Sequence, residues 1–227
     1  VSDGSPAAIH TIDPMSDERS VEAGTEREEL EAELRARREA ALAQVVKFGD
    51  PVLKSRASPV SDFGPELRAE VERMIAIMRD GMGVGLAATQ LGVLRRVLVF
   101  QAGSDSPPSG LVNPAVEWLS EDAVVAEEGC LSLPRVAMEV ERPLHARIAG
   151  FDVEGEPVTI EASGLEARVL QHEIDHLDGV LILDRAPREQ RKAALRALRE
   201  GGSYAPPPED GEAPEGAEHH REPHADA

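Results

Sequence analysis

The chain has 227 residues, 41% of them hydrophobic, which is enough for one well-buried domain and short for two. Its formal charge of -19 sits mainly at the ends: residues 1–44 hold 11 acidic against 5 basic side chains, and residues 209–227 hold 7 against 1. That distribution argues against nucleic-acid binding by the whole chain, and a single cysteine, Cys130, excludes an internal disulfide framework.

No apolar run approaches the roughly 18 residues of a membrane-spanning helix. The N-terminus also lacks the charged-then-apolar layout of a secretory signal. The expected location is therefore cytoplasmic, with neither a membrane nor DNA as partner. Residues 1–24 mix Ser, Asp, Pro and Gly and read as disordered. TEREELEAELRARREAALAQ (25–44) consists of helix formers with Leu30, Leu34 and Ala41 on a weak apolar stripe, which predicts a solvated helix. Together, 1–44 reads as an acidic extension, partly disordered or helical.

Globular composition begins at VVKFGDPVL, and 45–200 reads as one folded domain. In GPELRAEVERMIAIMRDG, residues Leu67, Val71, Met74, Ile75 and Met78 recur at helical spacing, with Gly81 as a stop. VLVFQA (97–102) and LVNPAVEWLS (111–120) read as strands. HARIAGFDVEGEPVTIEASG reads as a hairpin turning at Glu154-Gly155. A helix is expected from Leu165 to Leu177 and another, basic one over 187–200. The Pro-rich acidic stretch 201–227 reads as a disordered tail. The fold class that follows is α+β, with antiparallel or mixed β-sheets packed around a central H-E-x-x-H helix and a C-terminal helix.

That helix carries QHEIDHLDG, in which His172 and His176 stand four residues apart on one face, with Glu173 beside the first. Two imidazoles so placed reach one metal ion, and a catalytic site needs a third ligand with a position left for water. The region after Gly179 offers no histidine before the tail. His10, His219, His220 and His224 lie in sequence read as disordered, and His145 reads as an ordinary sheet residue. Cys130, in EEGCLSLP beside a glycine, is the better candidate, because a cation holds a thiolate deprotonated at neutral pH.

GVGLAATQ (83–90) has the glycine spacing of a phosphate-binding loop. A dinucleotide loop, however, follows a strand and opens a helix, whereas here a helix precedes it. Three segments in this order, GVGLAATQ, EGCLS and QHEIDH, instead resemble the peptide deformylase family, with the likeness extending over roughly 45–187. The resemblance implies an enzyme that removes the formyl group from the N-terminal formyl-methionine of new bacterial polypeptides, releasing formate, with 45–200 as its catalytic domain. It implies Cys130, His172 and His176 as metal ligands and Glu173 as the proton-transferring group. It also makes the Gln90 amide and the Leu131 backbone N–H donors to the formyl oxygen. Gly85 would let the segment approach the substrate closely, and Val84, Leu165 and Val169 would line a methionine pocket. Asp175 would either orient a ligand imidazole or form a surface salt bridge. The family's metal is Fe(2+), although the ligand types alone suit Zn(2+). In some relatives the C-terminal helix docks on the ribosome, which makes 187–200 a candidate contact. The likeness also has a gap: where some relatives carry an aromatic or basic residue after EGCLSLP, this chain has Val136-Ala137-Met138.

Three other readings weigh less. A zinc endopeptidase would share H-E-x-x-H but leaves the third ligand and Gln90 unexplained. A Cys–His hydrolase would use Cys130 as nucleophile and survive a chelator. A non-catalytic metal module would be expected to have lost Glu173 or Gln90, and both are present.

Overall fold

A computed structural model describes residues 14–103 and 106–207, with side chains from residue 27 onward. Five α-helices and seven strands are described: α1 Pro14–Gln44, α2 Pro65–Asp80, β1 Gly85–Ala87, β2 Val97–Phe100, β3 Ser109–Leu119, β4 Ala123–Cys130 and β5 Leu133–Pro143, followed by β6 His145–Phe151, β7 Pro157–Ser163, α3 Leu165–Leu177, α4 Ile182–Arg185 and α5 Arg188–Arg199. Among the described residues no helix is long and apolar enough to cross a membrane.

Five strands form one antiparallel sheet in the order β1-β2-β3-β6-β7, and β4 and β5 form a separate antiparallel pair. The α+β expectation with antiparallel sheets holds, as does the β6–β7 hairpin, whose turn uses Gly155 at φ 88°. Helix α3 buries Ala167, Val169, Leu170, Ile174 and Leu177 against Leu98, Phe100, Leu111, Ala146, Ile148 and Ala162 of the large sheet. Ala167, Leu170, Ile174 and Leu177 recur every three or four residues, so one stripe of α3 faces the sheet. Helix α2 packs Leu67, Val71, Met74, Ile77 and Met78 with Leu86, Val97, Val99 and Val112 in a second apolar cluster. A third cluster joins β5 to α4 and α5 through Val136, Met138, Val140, Leu181, Ile182, Leu183 and Ala194.

Two boundaries differ from the sequence reading. The backbone is already helical from Pro14, so disorder does not extend to residue 24; residues 1–13 lie outside the described residues. Along α1, Ala41 is buried, while Leu30 and Leu34 are exposed. At the other end the chain does not detach at Gly201. Tyr204 bridges to Val136 and packs on the third cluster, because its ring gives an otherwise polar stretch something to bury. Residues 208–227 lie outside the described residues.

Candidate metal centre

Three elements converge on one point. The one-turn spacing in α3 sets His172 and His176 side by side, with ring centroids 4.8 Å apart and planes at 79°. Strand β4 delivers Cys130 at its end, where the β4–β5 register breaks between Gly129 and Cys130 and the chain turns through Leu131 and Ser132. The segment after β1 brings Gln90, held against α3 by a hydrogen bond from Thr89 Oγ1 to the His176 carbonyl (3.1 Å).

Cys130 Sγ lies 3.2 Å from His176 Nε2, and one ligand atom each from Cys130, His172 and His176 falls within 4.8 Å of the others. Sulfur and nitrogen ligands at about 2.3 and 2.0 Å from one tetrahedral cation stand roughly 3.5 Å apart, so the separation is that of co-ligands. Charge agrees with geometry. Burial alone would raise the Cys130 thiol, but the adjacent imidazoles overcome it and hold its pKa well below the ordinary thiol value. Burial alone would lower His172, yet its hydrogen bonds to Cys130 and Glu128 raise it to about 10. The thiolate and the imidazolium stabilise each other as an ion pair, and one thiolate sulfur with two imidazole nitrogens is a donor set that fits a metal dication.

Glu173 is 4% exposed, its Oε2 has no hydrogen-bond partner among the described residues, and burial pushes its carboxyl pKa up. Such a carboxyl is poised to exchange protons rather than to hold an ion pair. Gly85 makes room for it: a Cβ there would sit 2.8 Å from Glu173 Cδ, so any side chain would displace the carboxyl. The Gln90 amide is fixed in orientation because its Oε1 accepts from the Ala87 N–H (2.9 Å). Its Nε2 therefore faces Cys130 Sγ (3.5 Å) and Ser132 Oγ (3.3 Å). Lys47 Nζ donates to the Leu131 carbonyl (3.2 Å) and anchors the turn that carries the Leu131 N–H.

Above these groups opens a cavity of about 770 Å³, lined by Val84, Gly85, Gln90, Cys130, Leu131, Leu165, Val169, His172 and Glu173, among others. Every sequence-predicted site residue except His176, which is buried beneath, lies on that wall. Val169 is buried and also belongs to the core, whereas Val84 and Leu165 are about half exposed at the mouth. His145 is bound to Ser163 Oγ (2.8 Å) within the sheet, as expected of a structural residue.

Of the two readings of Asp175, the salt bridge is the one the structure shows, buried rather than at the surface: Asp175 holds Arg142 Nη1 (2.8 Å) and Arg185 Nη2 (2.6 Å) and does not orient a ligand imidazole. The carboxylate on the imidazole is Glu128, whose Oε2 meets His172 Nδ1 at 2.9 Å while Arg142 and Arg168 bind its oxygens. Burial would raise the Glu128 carboxyl, but His172 and Arg142 outweigh it and hold the pKa down to about 2. With Nδ1 so engaged, His172 turns its Nε2 towards the cation position. A signal for Glu128 did exist, because in a strand residues two apart share a face and Glu128 stands two before Cys130. Arg142 had no comparable signal.

The polypeptide deformylase family model matches residues 42–192. The chain is 51% identical over 153 residues to a peptide deformylase of Acidothermus cellulolyticus, covering 67% of this chain and 83% of that protein. It is 48% identical over 163 residues to peptide deformylase 1 of Corynebacterium glutamicum, covering 70% and 95%. The crystal structure of peptide deformylase from Thermotoga maritima superposes with a TM-score of 0.61 at 44% identity, over 63% of this chain and 96% of that one. That of the Synechococcus elongatus enzyme in complex with actinonin gives 0.65 at 37% identity, over 70% and 88%. Fold, spacing and these likenesses agree: the chain belongs to the polypeptide deformylase family.

Proposed function

We propose that Cys130, His172 and His176 hold the metal ion with which this peptide deformylase removes the formyl group from N-terminal formyl-methionine, releasing formate. The observation that carries the reading is the convergence of one thiolate and two imidazoles within 4.8 Å beside a buried, unpartnered Glu173 carboxyl oxygen. A bound dication supplies Lewis acidity to the formyl carbonyl and to the attacking water. Glu173 accepts the proton of that water at its carboxylate and, once protonated, gives it to the departing amine. Gln90 Nε2 and the Leu131 N–H donate to the formyl oxygen as it gains negative charge, and because both are already fixed they need no reorganisation. Val84, Leu165 and Val169 surround the methionine side chain. Formate release from a formyl-Met peptide, abolished by a chelator and restored by metal, tests the reading. Turnover that survives complete metal removal would favour Cys130 as a nucleophile instead.

Gln90→Ala is expected to lose roughly 3 kcal/mol of transition-state stabilisation, about 10²-fold in kcat, on the scale of one oxyanion donor. A wild-type rate in this variant would remove Gln90 from the mechanism. We assign the ion as Fe(2+) on the family likeness, although Cys-His-His ligation also suits zinc. Protein purified anaerobically should then contain iron and lose activity in air. Full, air-stable activity in a stoichiometric zinc form would reject iron.

A cytoplasmic place of action and a bacterial source accord with that substrate. For the ribosome contact, the support lies in α5: Arg188, Arg191 and Arg199 are exposed, while Lys192 and Arg196 pair with Glu189 and Glu200. Phosphate binding by these arginines would weaken as salt rises. Salt-sensitive co-sedimentation with ribosomes is the expected result, and its absence would discard the contact.

A further inference from the structure

The family match spans residues 42–192, yet the cavity over the metal centre is also lined from beyond both ends of that span. Arg38 reaches it from α1, and Ser203, Tyr204 and Ala205 reach it from the segment after α5. Tyr204 is carried there by two backbone hydrogen bonds. Its N–H donates to the Arg135 carbonyl (2.9 Å), and the Ala137 N–H donates to its own carbonyl (2.8 Å). Arg135, on the same cavity wall, has φ 64°, a left-handed conformation costly for a residue with a side chain. Such a conformation persists where neighbouring contacts over-determine it, and the Tyr204 strap supplies one of them.

Arg38 and Arg135 are both exposed, and among the described residues neither takes part in an ion pair or a side-chain hydrogen bond. The remaining charges of the lining have other commitments. Arg168 and Glu128 bind each other, and His172 and Glu173 belong to the centre, which leaves Glu127 as the one uncommitted carboxylate among the described residues of the wall. The lining holds three arginines against three glutamates, so it lacks the acidic excess of a chain whose formal charge is -19, and two of its guanidinium groups are free to meet what enters. In a cleft with apolar walls such free charges act strongly on an entering chain. An extended polypeptide advances about 3.3 Å per residue. A cavity of about 770 Å³ has room for more than the first residue of such a chain.

We propose that Arg38 and Arg135, the latter held by the Tyr204 strap, form a subsite selecting an acidic side chain in the two residues after formyl-methionine. The inference rests on the deformylase reading and specifies its substrate class. Guanidinium groups recognise carboxylates through paired N–H donors, and the arrangement acts on binding rather than on the chemical step.

The test is steady-state kinetics of the full, metal-loaded chain on formyl-Met-amide, formyl-Met-Asp-Asp-amide and formyl-Met-Lys-Lys-amide. Amidation removes the terminal carboxylate, so any preference reports the side chains alone. The expected result is a roughly tenfold higher kcat/KM for the Asp peptide over the Lys peptide, carried by KM. The Arg38→Ala/Arg135→Gln double variant should lose that preference while turning over formyl-Met-amide normally, and the Arg38→Lys single variant should keep part of it. An equal preference in wild type and double variant, or none in wild type, would overturn the subsite and leave the deformylase reading standing. No formate from any of the three peptides would overturn both.

Discussion

Glu173→Gln is expected to lower kcat by about 10²–10⁴-fold while leaving one metal ion bound per chain. The substitution keeps volume and hydrogen-bonding shape but removes the ability to accept and return a proton. The site is arranged around that ability. Glu173 is buried, its Oε2 has no partner among the described residues, burial raises its pKa, and the backbone at Gly85 passes so close that no residue with a side chain fits at that position. Nothing else in the centre duplicates the role. The histidine nitrogens that face the cluster are committed to it, and Gln90 is oriented as a donor by the Ala87 N–H. Metal content by elemental analysis, measured beside kcat, separates loss of the proton carrier from loss of the ion. Wild-type turnover by the Glu173→Gln protein would transfer the proton role elsewhere.

The second large effect concerns stability. Glu128→Ala should destabilise the protein by about 3–5 kcal/mol, the usual cost of leaving a buried charge without its partner. Glu128 is 6% exposed and accepts from Arg142, itself 4% exposed, as well as from Arg168 and His172. Without it Arg142 keeps only Asp175, and Arg168 keeps two backbone carbonyls, those of Val140 and Val124. Because His172 would also lose the group on its Nδ1, metal affinity should fall about 10–100-fold. Denaturant midpoints of the wild type and the variant check the first claim, and metal titration checks the second. The pH dependence has a defined sign. The folded pKa of about 2 lies below the ordinary 4.5, so the Glu128 contribution is complete above about pH 4.5 and lost as pH falls towards 2. An unchanged midpoint in Glu128→Ala would mean that Arg142 finds compensation elsewhere.

The elements legible in the sequence were those whose pattern is local. Helices α2 and α3 announce themselves by apolar residues at helical spacing, and the β6–β7 hairpin by alternation around Glu154-Gly155. Strand β5 and the short α4 were not anticipated. Residues 133–143 mix Pro, Arg and Glu, and their strand exists because β4 supplies a partner, while α4 is a single turn held by the third apolar cluster. In the centre, H-E-x-x-H was readable from spacing alone. Cys130 was reached by eliminating the other histidines rather than by spacing, because the thiol and the first histidine stand 42 positions apart (172 less 130) and no periodicity spans that gap, and the role of Gln90 came only from the resemblance. The support of the site was the least legible part. Arg142, Arg168 and Asp175 come together only once β4, β5 and α3 are packed, and the imidazole reading of Asp175 failed because its neighbour in sequence, His176, is not its partner in space. The Tyr204 strap was missed for a related reason: composition speaks for the whole tail and not for one aromatic within it.

The proposed chemistry depends most on a shared ion bound by one sulfur and two imidazole nitrogens. X-ray absorption at the edge of the metal found in active protein reads that shell directly. The expected spectrum has one sulfur scatterer near about 2.3 Å and two nitrogens at roughly 2.0–2.1 Å, with the sulfur lost in Cys130→Ala. A first shell with no sulfur in the active wild type would contradict the assignment of Cys130, and with it the centre described here.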